Sequence, residues 1–265
     1  MAKTDVLYEK QEHIGIITFN RPDKLNAMTH EMLDLIEDIC REIRSDDDVR
    51  AVILTGKGRC FCAGTDLSGD VPVSAETEIR HMKSKNSTIS PFSMWVITNI
   101  PKPVICALNG PAIGIGAELV VQCDIRIAAQ SAKWGEVFVR RGLVPDTGAV
   151  TYLLPHIVGF SKAFELCCGG ETIDASEMLR IGLVHQVVPD DQLMATCMEL
   201  ARKFFKAAPL SVQMTKQLLY MGLERTIDHH CEATRDCFQL ATKTEDMMEG
   251  IKSFLEKRDP VWKGK

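Results

Sequence analysis

Short apolar runs alternate with helically spaced apolar positions in the first quarter of the chain. Residues 14–19 (IGIITF) are mostly β-branched and precede the turn-forming residues 20–23 (NRPD), which predicts a strand ending in a turn. Over residues 29–44 apolar side chains recur every three or four positions, with acids early and arginines late, which predicts an amphipathic helix. Residues 51–55 (AVILT) again read as a strand, so this part forms a strand–helix–strand unit.

Two further units of the same kind follow. The pattern predicts a strand over residues 103–108, a glycine-rich turn over 110–116, a helix over 117–123 and a strand over 124–128. Later, Asp174 and Glu177 have the spacing of a capping box, Gly182 ends the helix, and residues 183–188 read as a strand. Three such units predict an α/β fold.

Beyond residue 189 the pattern is helical only. Helices are predicted over residues 193–204 and 210–223, and the rest as far as residue 258 contains no β-rich run. We therefore predict a core over residues 1–200 and a C-terminal helical region over residues 201–265. Because such a region cannot extend the sheet, we expect it to pack on its own domain or on a neighbouring subunit.

Composition changes this picture little. The 265 residues are 45% hydrophobic and 25% charged, as in ordinary globular proteins. A net charge of −5 without a basic run argues against a nucleic-acid partner. The longest uncharged stretch, residues 103–117, is too short and too rich in Gly and Pro for a membrane span, so we expect no membrane association.

The ten cysteines indicate thiols rather than a disulfide framework. Cys167 and Cys168 are adjacent, and the N-terminal residues lack the apolar segment of a signal peptide, so we expect a cytoplasmic protein. Cys60 and Cys62 have no second Cys or His pair at zinc-site spacing, so we expect no metal site.

Several enzyme classes are disfavoured by their missing motifs. Gly114 and Gly116 open a predicted helix as a dinucleotide loop would, but the third glycine of G-x-G-x-x-G is replaced by Leu119. The chain has neither a G-x-S-x-G elbow nor a P-loop.

Two acids are candidates for chemistry. Glu118 is the only charged residue between positions 103 and 123, in the first turn of an apolar helix. It is either a solvated acid that matches the helix dipole or a desolvated carboxylate with a raised pKa, suited to acid–base catalysis. Asp146, in the segment VPDTG, is either a turn or cap residue or part of the same site.

Three motifs in order resemble the enoyl-CoA hydratase/isomerase (crotonase) superfamily. They are residues 20–27 (NRPDKLNA), 58–67 (GRCFCAGTDL) and 103–118 (PVICALNGPAIGIGAE), and the resemblance continues through residues 123–126, 142–145, 182–184 and 254–258. It implies a crotonase-type spiral of β-β-α repeats with a C-terminal helical oligomerisation region. The implied assembly is a homotrimer or a hexamer.

The resemblance also implies an acyl-CoA substrate, with coenzyme A as part of the substrate and no separate cofactor. The thioester oxygen would face the backbone amides of Thr65 and Ile115, which form an oxyanion hole. The implied CoA-binding residues are Lys24, Ala63, Asp66, Leu67, Phe254 and Lys257. Trp95, Trp134 and Phe138 are candidates for the acyl pocket, although each is equally suited to the core. Acyl selectivity is expected to depend on the loop over residues 68–95.

Catalytic roles follow from the same resemblance. Hydratases of the family use two glutamates, one at the position of Glu118 and a second at the position that Phe138 occupies here. Asp146 matches the position at which several isomerases carry a catalytic aspartate. We predict a 2-enoyl-CoA hydratase that uses Glu118 and Asp146. The alternatives are a double-bond isomerase that uses Asp146 and, more distantly, a non-catalytic acyl-CoA-binding protein.

Overall fold

The structure, a computed structural model, is built around a six-stranded sheet; it describes residues 4–68 and 95–265. The sheet has the order β1-β2-β3-β4-β6-β9. Its strands are β1 (Val6–Gln11), β2 (Ile14–Phe19), β3 (Ala51–Gly56), β4 (Val104–Leu108), β6 (Ile125–Ala129) and β9 (Gln186–Val188). Strands β1 and β2 form an antiparallel hairpin, and the other neighbours are parallel. Residues 69–94, which include most of the loop expected to set acyl selectivity, lie outside the described residues.

The inner strands are apolar because both faces of the sheet are covered. Every residue of β3 and β4 is buried, which is typical of parallel strands between helical layers. Helix α1 (His30–Ser45) is capped by Thr29, whose hydroxyl accepts a hydrogen bond from the Met32 amide. Its buried residues are Met32, Ile36, Cys40 and Ile43. The amphipathic helix predicted over residues 29–44 is therefore confirmed.

A smaller three-stranded sheet leads into the next helix. It contains β5 (Ala112–Ile113), β7 (Lys133–Gly135) and β8 (Thr172–Asp174), with β7 in the middle. Helix α2 (Ile115–Gln122) follows β5 directly, and all eight of its residues are buried. Glu118 therefore lies in the first turn of a helix that has no solvent-exposed face.

Helices α3 (Ala149–Val158), α4 (Phe160–Gly169) and α5 (Ala175–Arg180) continue the chain. The Asp174 carboxylate caps α5 by accepting a hydrogen bond from the Glu177 amide, as predicted. The reciprocal half of the capping box is wrong, because the Glu177 carboxylate binds Arg180 instead. The strand predicted over residues 183–188 is shorter than expected and comprises only the three residues of β9.

Four helices complete the chain: α6 (Leu193–Phe204), α7 (Pro209–Met221), α8 (Ile227–Ala241) and α9 (Glu245–Glu256). Helix α6 packs against β3, β4 and β6, and the predicted boundary at residue 200 falls inside it. The division into two domains stays a prediction. Together these elements confirm the α/β class and the helical C-terminal part.

Helix α7 is joined to the core by a partly buried charge. The Lys216 ammonium donates to Asp124 at 2.7 Å and to the Lys102 carbonyl at 3.1 Å, and the Tyr220 hydroxyl donates to the same Asp124 carboxylate at 2.9 Å. Within residues 4–68 and 95–265, none of the helices combines the length and apolar character needed to cross a bilayer.

Candidate active site

The two backbone segments that carry the candidate donors Thr65 and Ile115 are in contact. The Ile113 amide donates to the Cys62 carbonyl at 2.9 Å, and Cys62 pairs with Ala112 as an isolated bridge. Gly116 approaches so closely that a Cβ atom there would lie 2.5 Å from the Cys62 oxygen. This close contact requires glycine at position 116, and it brings the segments that contain Thr65 and Ile115 side by side.

The amides of Thr65 and Ile115 are available as donors. Neither of these N–H groups donates a hydrogen bond to another residue of segments 4–68 and 95–265. Each follows a glycine with positive φ, Gly64 at 109° and Gly114 at 56°, which is a backbone conformation that glycine adopts without strain. This arrangement suits two converging donors, and their role as an oxyanion hole stays a prediction.

Glu118 is a buried carboxyl with one hydrogen-bonded oxygen. Its side chain is 0% exposed, and its Oε2 accepts the Thr147 amide at 3.2 Å. Its Oε1 has no partner among the described residues. Burial raises the pKa of Glu118 to about 8, the hydrogen bonds of Thr147 oppose this shift, and the nearby Asp146 charge adds to it. Of the two states left open by the sequence, the structure has the desolvated one.

Asp146 is an exposed acid close to the buried Glu118. The structure places it in the loop before α3, and its charge is close enough to raise the pKa of Glu118. The N-cap residue of α3 is Gly148, and no side chain caps this helix, so Asp146 does not cap it. The loop is held from the other side by Trp95, whose indole Nε1 donates to the Thr147 carbonyl at 2.9 Å.

A third acid, Glu136, was not predicted from the sequence. It follows β7 directly and is 0% exposed, and neither carboxyl oxygen has a hydrogen-bond partner among the described residues. Burial raises the pKa of Glu136 to about 9, and the charges of Glu118 and Asp146 add to this shift. A local signal was present, because Glu136 is two residues after the buried Trp134 and extended residues i and i+2 share a face.

The aromatic candidates occupy different places. The Phe138 ring packs over Gly114, where a Cβ would lie 3.6 Å from it, so this side chain borders the Ile115 amide. Trp134 is fully buried beneath α2, and its indole donates to the Ala117 carbonyl at 3.1 Å. Trp95 is half-buried and packs on Tyr152 at a ring distance of 5.5 Å. Their assignment to an acyl pocket stays a prediction.

The candidate CoA-binding residues fall into two groups. Lys24 is exposed at the end of a short 3-10 helix. The next residue, Leu25, accepts a hydrogen bond from the Ala63 amide, which holds this helix near residue 63. The same group contains Asp66, which pairs with Arg21 at 2.9 Å, and the exposed Leu67. Phe254 and Lys257 lie on α9 and at its end. No hydrogen bond or ion pair within the described part of the chain joins that second group to the first.

The structure also shows the state of the cysteines and the arrangement of side chains that could bind a metal ion. All ten cysteines are free thiols, and most are buried. Across residues 4–68 and 95–265, no group of three or more His, Cys, Asp or Glu side chains is placed to hold a metal ion.

Comparison with known proteins identifies the family. The sequence model of the family described as enoyl-CoA hydratase/isomerase matches residues 9–265. The chain belongs to this family. It is 36% identical over 267 residues to a short-chain-enoyl-CoA hydratase of Clostridium acetobutylicum, with 97% of each chain covered. It is 34% identical to the 1,2-epoxyphenylacetyl-CoA isomerase of Escherichia coli, with 98% of each chain covered.

A solved structure agrees with this membership. The enoyl-CoA hydratase of Bacillus anthracis superposes with a TM-score of 0.89 at 32% identity, covering 99% of this chain and 100% of that one. The predicted crotonase fold is therefore confirmed. The chain is an enzyme of the enoyl-CoA hydratase/isomerase family, and relatives of both activities resemble it over nearly their whole lengths.

Proposed function

We propose that this protein hydrates the double bond of a 2-enoyl-CoA thioester. The observation that carries the proposal is the Glu118 carboxyl, which is fully buried, has a pKa of about 8 and lies one turn after the unpaired Ile115 amide. A carboxyl that titrates near neutral pH can both accept and return a proton. Two fixed amides beside it suit the oxygen of a thioester enolate.

The reaction is balanced without an oxidant or a separate cofactor. Glu118 removes a proton from water while the water oxygen bonds to C3 of the substrate. The electron pair of the double bond moves toward the thioester carbonyl, whose oxygen accepts hydrogen bonds from the amides of Thr65 and Ile115. Each such donor is typically worth about 3 kcal/mol in the transition state. A proton from Glu118 or Asp146 then adds to C2.

The residues near the mouth of the site would hold the coenzyme A part of the substrate. Lys24, Ala63, Asp66 and Leu67 lie together beside Thr65, which suits contact with the pantetheine and nucleotide portions. Phe254 and Lys257 would contribute from the C-terminal helix, in the same chain or in a neighbouring subunit. We propose a homotrimer, or a hexamer made of two trimers, as the assembly in which this occurs.

Isomerisation is the second candidate, and the position of Asp146 favours it. An exposed carboxylate beside a buried one can move a proton between C2 and C4 of a 3-enoyl thioester without adding water. The similarity to an enzyme named 1,2-epoxyphenylacetyl-CoA isomerase supports the same candidate.

Incorporation of solvent oxygen separates the two. Crotonyl-CoA and a matched 3-enoyl-CoA are each incubated with the protein in water labelled with heavy oxygen, and the products are analysed by mass spectrometry. Hydration places one labelled oxygen on C3, whereas isomerisation changes the double bond and incorporates none. In deuterated water, a protein that only binds acyl-CoA would leave the substrate protons unexchanged, and that result would contradict both reactions.

A further inference from the structure

Glu136 is a buried acid that the proposed reaction does not use. Neither of its carboxyl oxygens meets a donor among the described residues, and its side chain is fully enclosed. An unpaired carboxylate in such surroundings is strongly disfavoured, so its neutral form is the stable one.

Backbone contacts place Glu136 beside the first turn of α2. The preceding residue, Gly135, accepts the Gly114 amide at 3.0 Å, and Trp134 donates to the Ala117 carbonyl at 3.1 Å. The end of β7 is thus joined on both sides to the turn that carries Glu118.

Among residues 4–68 and 95–265, the titratable groups that interact with Glu136 are acidic or neutral. They are Glu118 on α2, Asp146 on the loop before α3, and the Cys167 thiol on α4, whose pKa is raised to about 12 by burial and by Glu136. In the described part of the chain, no ion pair gives Glu136 a cationic partner. Two buried acids so placed cannot both ionise at little cost.

The hydrogen bonds decide which of the two ionises first. The Glu118 Oε2 accepts the Thr147 amide, whereas Glu136 accepts nothing from the described residues. A donor to a carboxylate favours its charged form. We infer that Glu136 is a positioning residue that keeps its proton while Glu118 ionises, so that Glu118 is the single carboxylate in the buried part of the site. This inference rests on the proposed acid–base role of Glu118.

The inference makes neutral Glu136 a condition of activity. When Glu136 loses its proton, a second negative charge enters a site in which an enolate must form, and turnover should fall. Glutamine at this position is neutral at every pH, so it should preserve the function that the protonated carboxyl has.

Infrared spectroscopy of the free protein tests the order of ionisation without any substrate. Protonated carboxyl groups absorb apart from carboxylates, and wild type, Glu136→Gln and Glu118→Gln are compared from pH 6 to pH 10. We expect Glu136→Gln to remove the carboxyl band that disappears last as the pH rises. If the missing band is the first to titrate, or if no band is missing at pH 6, the inference is wrong.

If Glu136→Gln does not fold, the variant Glu118→Gln tests the same order of ionisation. The remaining Glu136 band should then disappear at lower pH than in wild type, because the negative charge of its neighbour is gone.

The pH profile of turnover provides the second readout. Wild-type kcat should fall on the alkaline side as Glu136 ionises, and in Glu136→Gln this alkaline fall should be absent, with kcat near pH 8 within about tenfold of wild type. A loss of a hundredfold or more would instead show direct proton transfer by Glu136 and overturn the positioning role. Glu171→Gln, an exposed acid nearby, is the charge-matched control and should leave the profile unchanged. If no enoyl-CoA is turned over at all, the proposed function fails while the infrared result still judges the ionisation order.

Discussion

The burial of single side chains determines most of the expected chemistry. Glu118 has no exposed surface, and its pKa is raised toward the range in which a carboxyl both takes and gives a proton. Asp146, by contrast, is exposed and affects Glu118 through its charge. The two acids therefore differ in their surroundings, and such a difference allows two carboxyl groups in one site to have different acid–base roles.

Substitution of each acid by its amide should separate these tasks. Glu118→Gln should lower kcat about a hundredfold or more, because acid–base groups contribute roughly 10² to 10⁴ in rate. We expect Asp146→Asn to lower kcat at least as much. It should also lower the pKa of Glu118, because it removes a neighbouring negative charge, so the acidic limb of any remaining activity should move to lower pH.

Folding controls keep this comparison clear. Asp146 does not cap α3, so Asp146→Asn should change the free energy of unfolding by less than about 1 kcal/mol, the usual effect of a lost cap. Steady-state kinetics and thermal melts of both variants provide the measurement. Retained turnover together with a large loss of stability in Asp146→Asn would make Asp146 structural and leave Glu118 alone.

The two buried glutamates should also make stability depend on pH. Burial raises both pKa values, to about 8 for Glu118 and about 9 for Glu136, above the ordinary value of 4.5. At a pH above the ordinary value of 4.5 and below these raised pKa values, the folded protein holds protons that the unfolded chain has released. The free energy of unfolding should therefore fall as the pH rises from about 5 to about 9. Chemical denaturation across this range measures the slope. The double variant Glu118→Gln with Glu136→Gln should show a smaller slope, and equal slopes would contradict the raised pKa values.

At the scale of elements, the close approach of α2 to the segment around Cys62 positions the candidate donors, the amides of Thr65 and Ile115. A Cβ atom at Gly116 would lie 2.5 Å from the Cys62 carbonyl oxygen and 2.7 Å from its Cβ, distances that side chains do not adopt. Relief of this clash requires α2 and the segment before Thr65 to separate, which would move both amides.

We therefore expect Gly116→Ala to reduce both stability and turnover. Overpacking of a buried contact typically costs about 1 to 3 kcal/mol in unfolding free energy. Gly169→Ala, in an exposed helical position whose new Cβ would meet nothing nearer than 3.9 Å, is the matched control and should be close to neutral. Thermal melts and kcat of the two variants provide the comparison, and equal behaviour would show that the contact at Gly116 is not required.

The elements differ in how strongly their local sequence predicts them. Helix α1 and the parallel strands were predictable, because a long apolar period and β-branched runs are local signals. Strand β5 has two residues and β7 has three, too few for a periodic pattern, and their pairing is visible only in three dimensions. Glu136 was missed although it lies two residues after Trp134, because β7 is too short for this alternation to stand out and the burial of Glu136 depends on the contact between β7 and α2. Glu118 was found because its own helix is apolar on every side.

At the scale of the whole molecule, α8 has no buried residue in the single chain although it is 15 residues long. Ile227 is 82% and Phe238 is 69% exposed, and eleven residues of helix bring them to the same face. Isolated helices of this length are marginal in water without tertiary packing, so an apolar face of this kind favours a partner subunit.

We expect the purified protein to have a mass several times 29.5 kDa by light scattering. The double variant Ile227→Glu with Phe238→Glu should shift it toward the monomer, because charges at a buried contact oppose association. Leu179→Glu changes a partly exposed leucine on α5 and should leave the mass unchanged. A wild-type protein that is monomeric at micromolar concentration would contradict the oligomer.

The hydrogen bond between Trp95 and Thr147 also makes the fluorescence of Trp95 a probe of the site. The chain has three tryptophans, and Trp134 lies in the core, away from solvent. The indole of Trp95 instead donates to the residue that follows Asp146 and packs on Tyr152. We therefore expect its fluorescence to change when an acyl-CoA thioester binds beside this loop, and a ligand that cannot react should be detected as readily as a substrate. Affinity could then be measured in variants that no longer turn over.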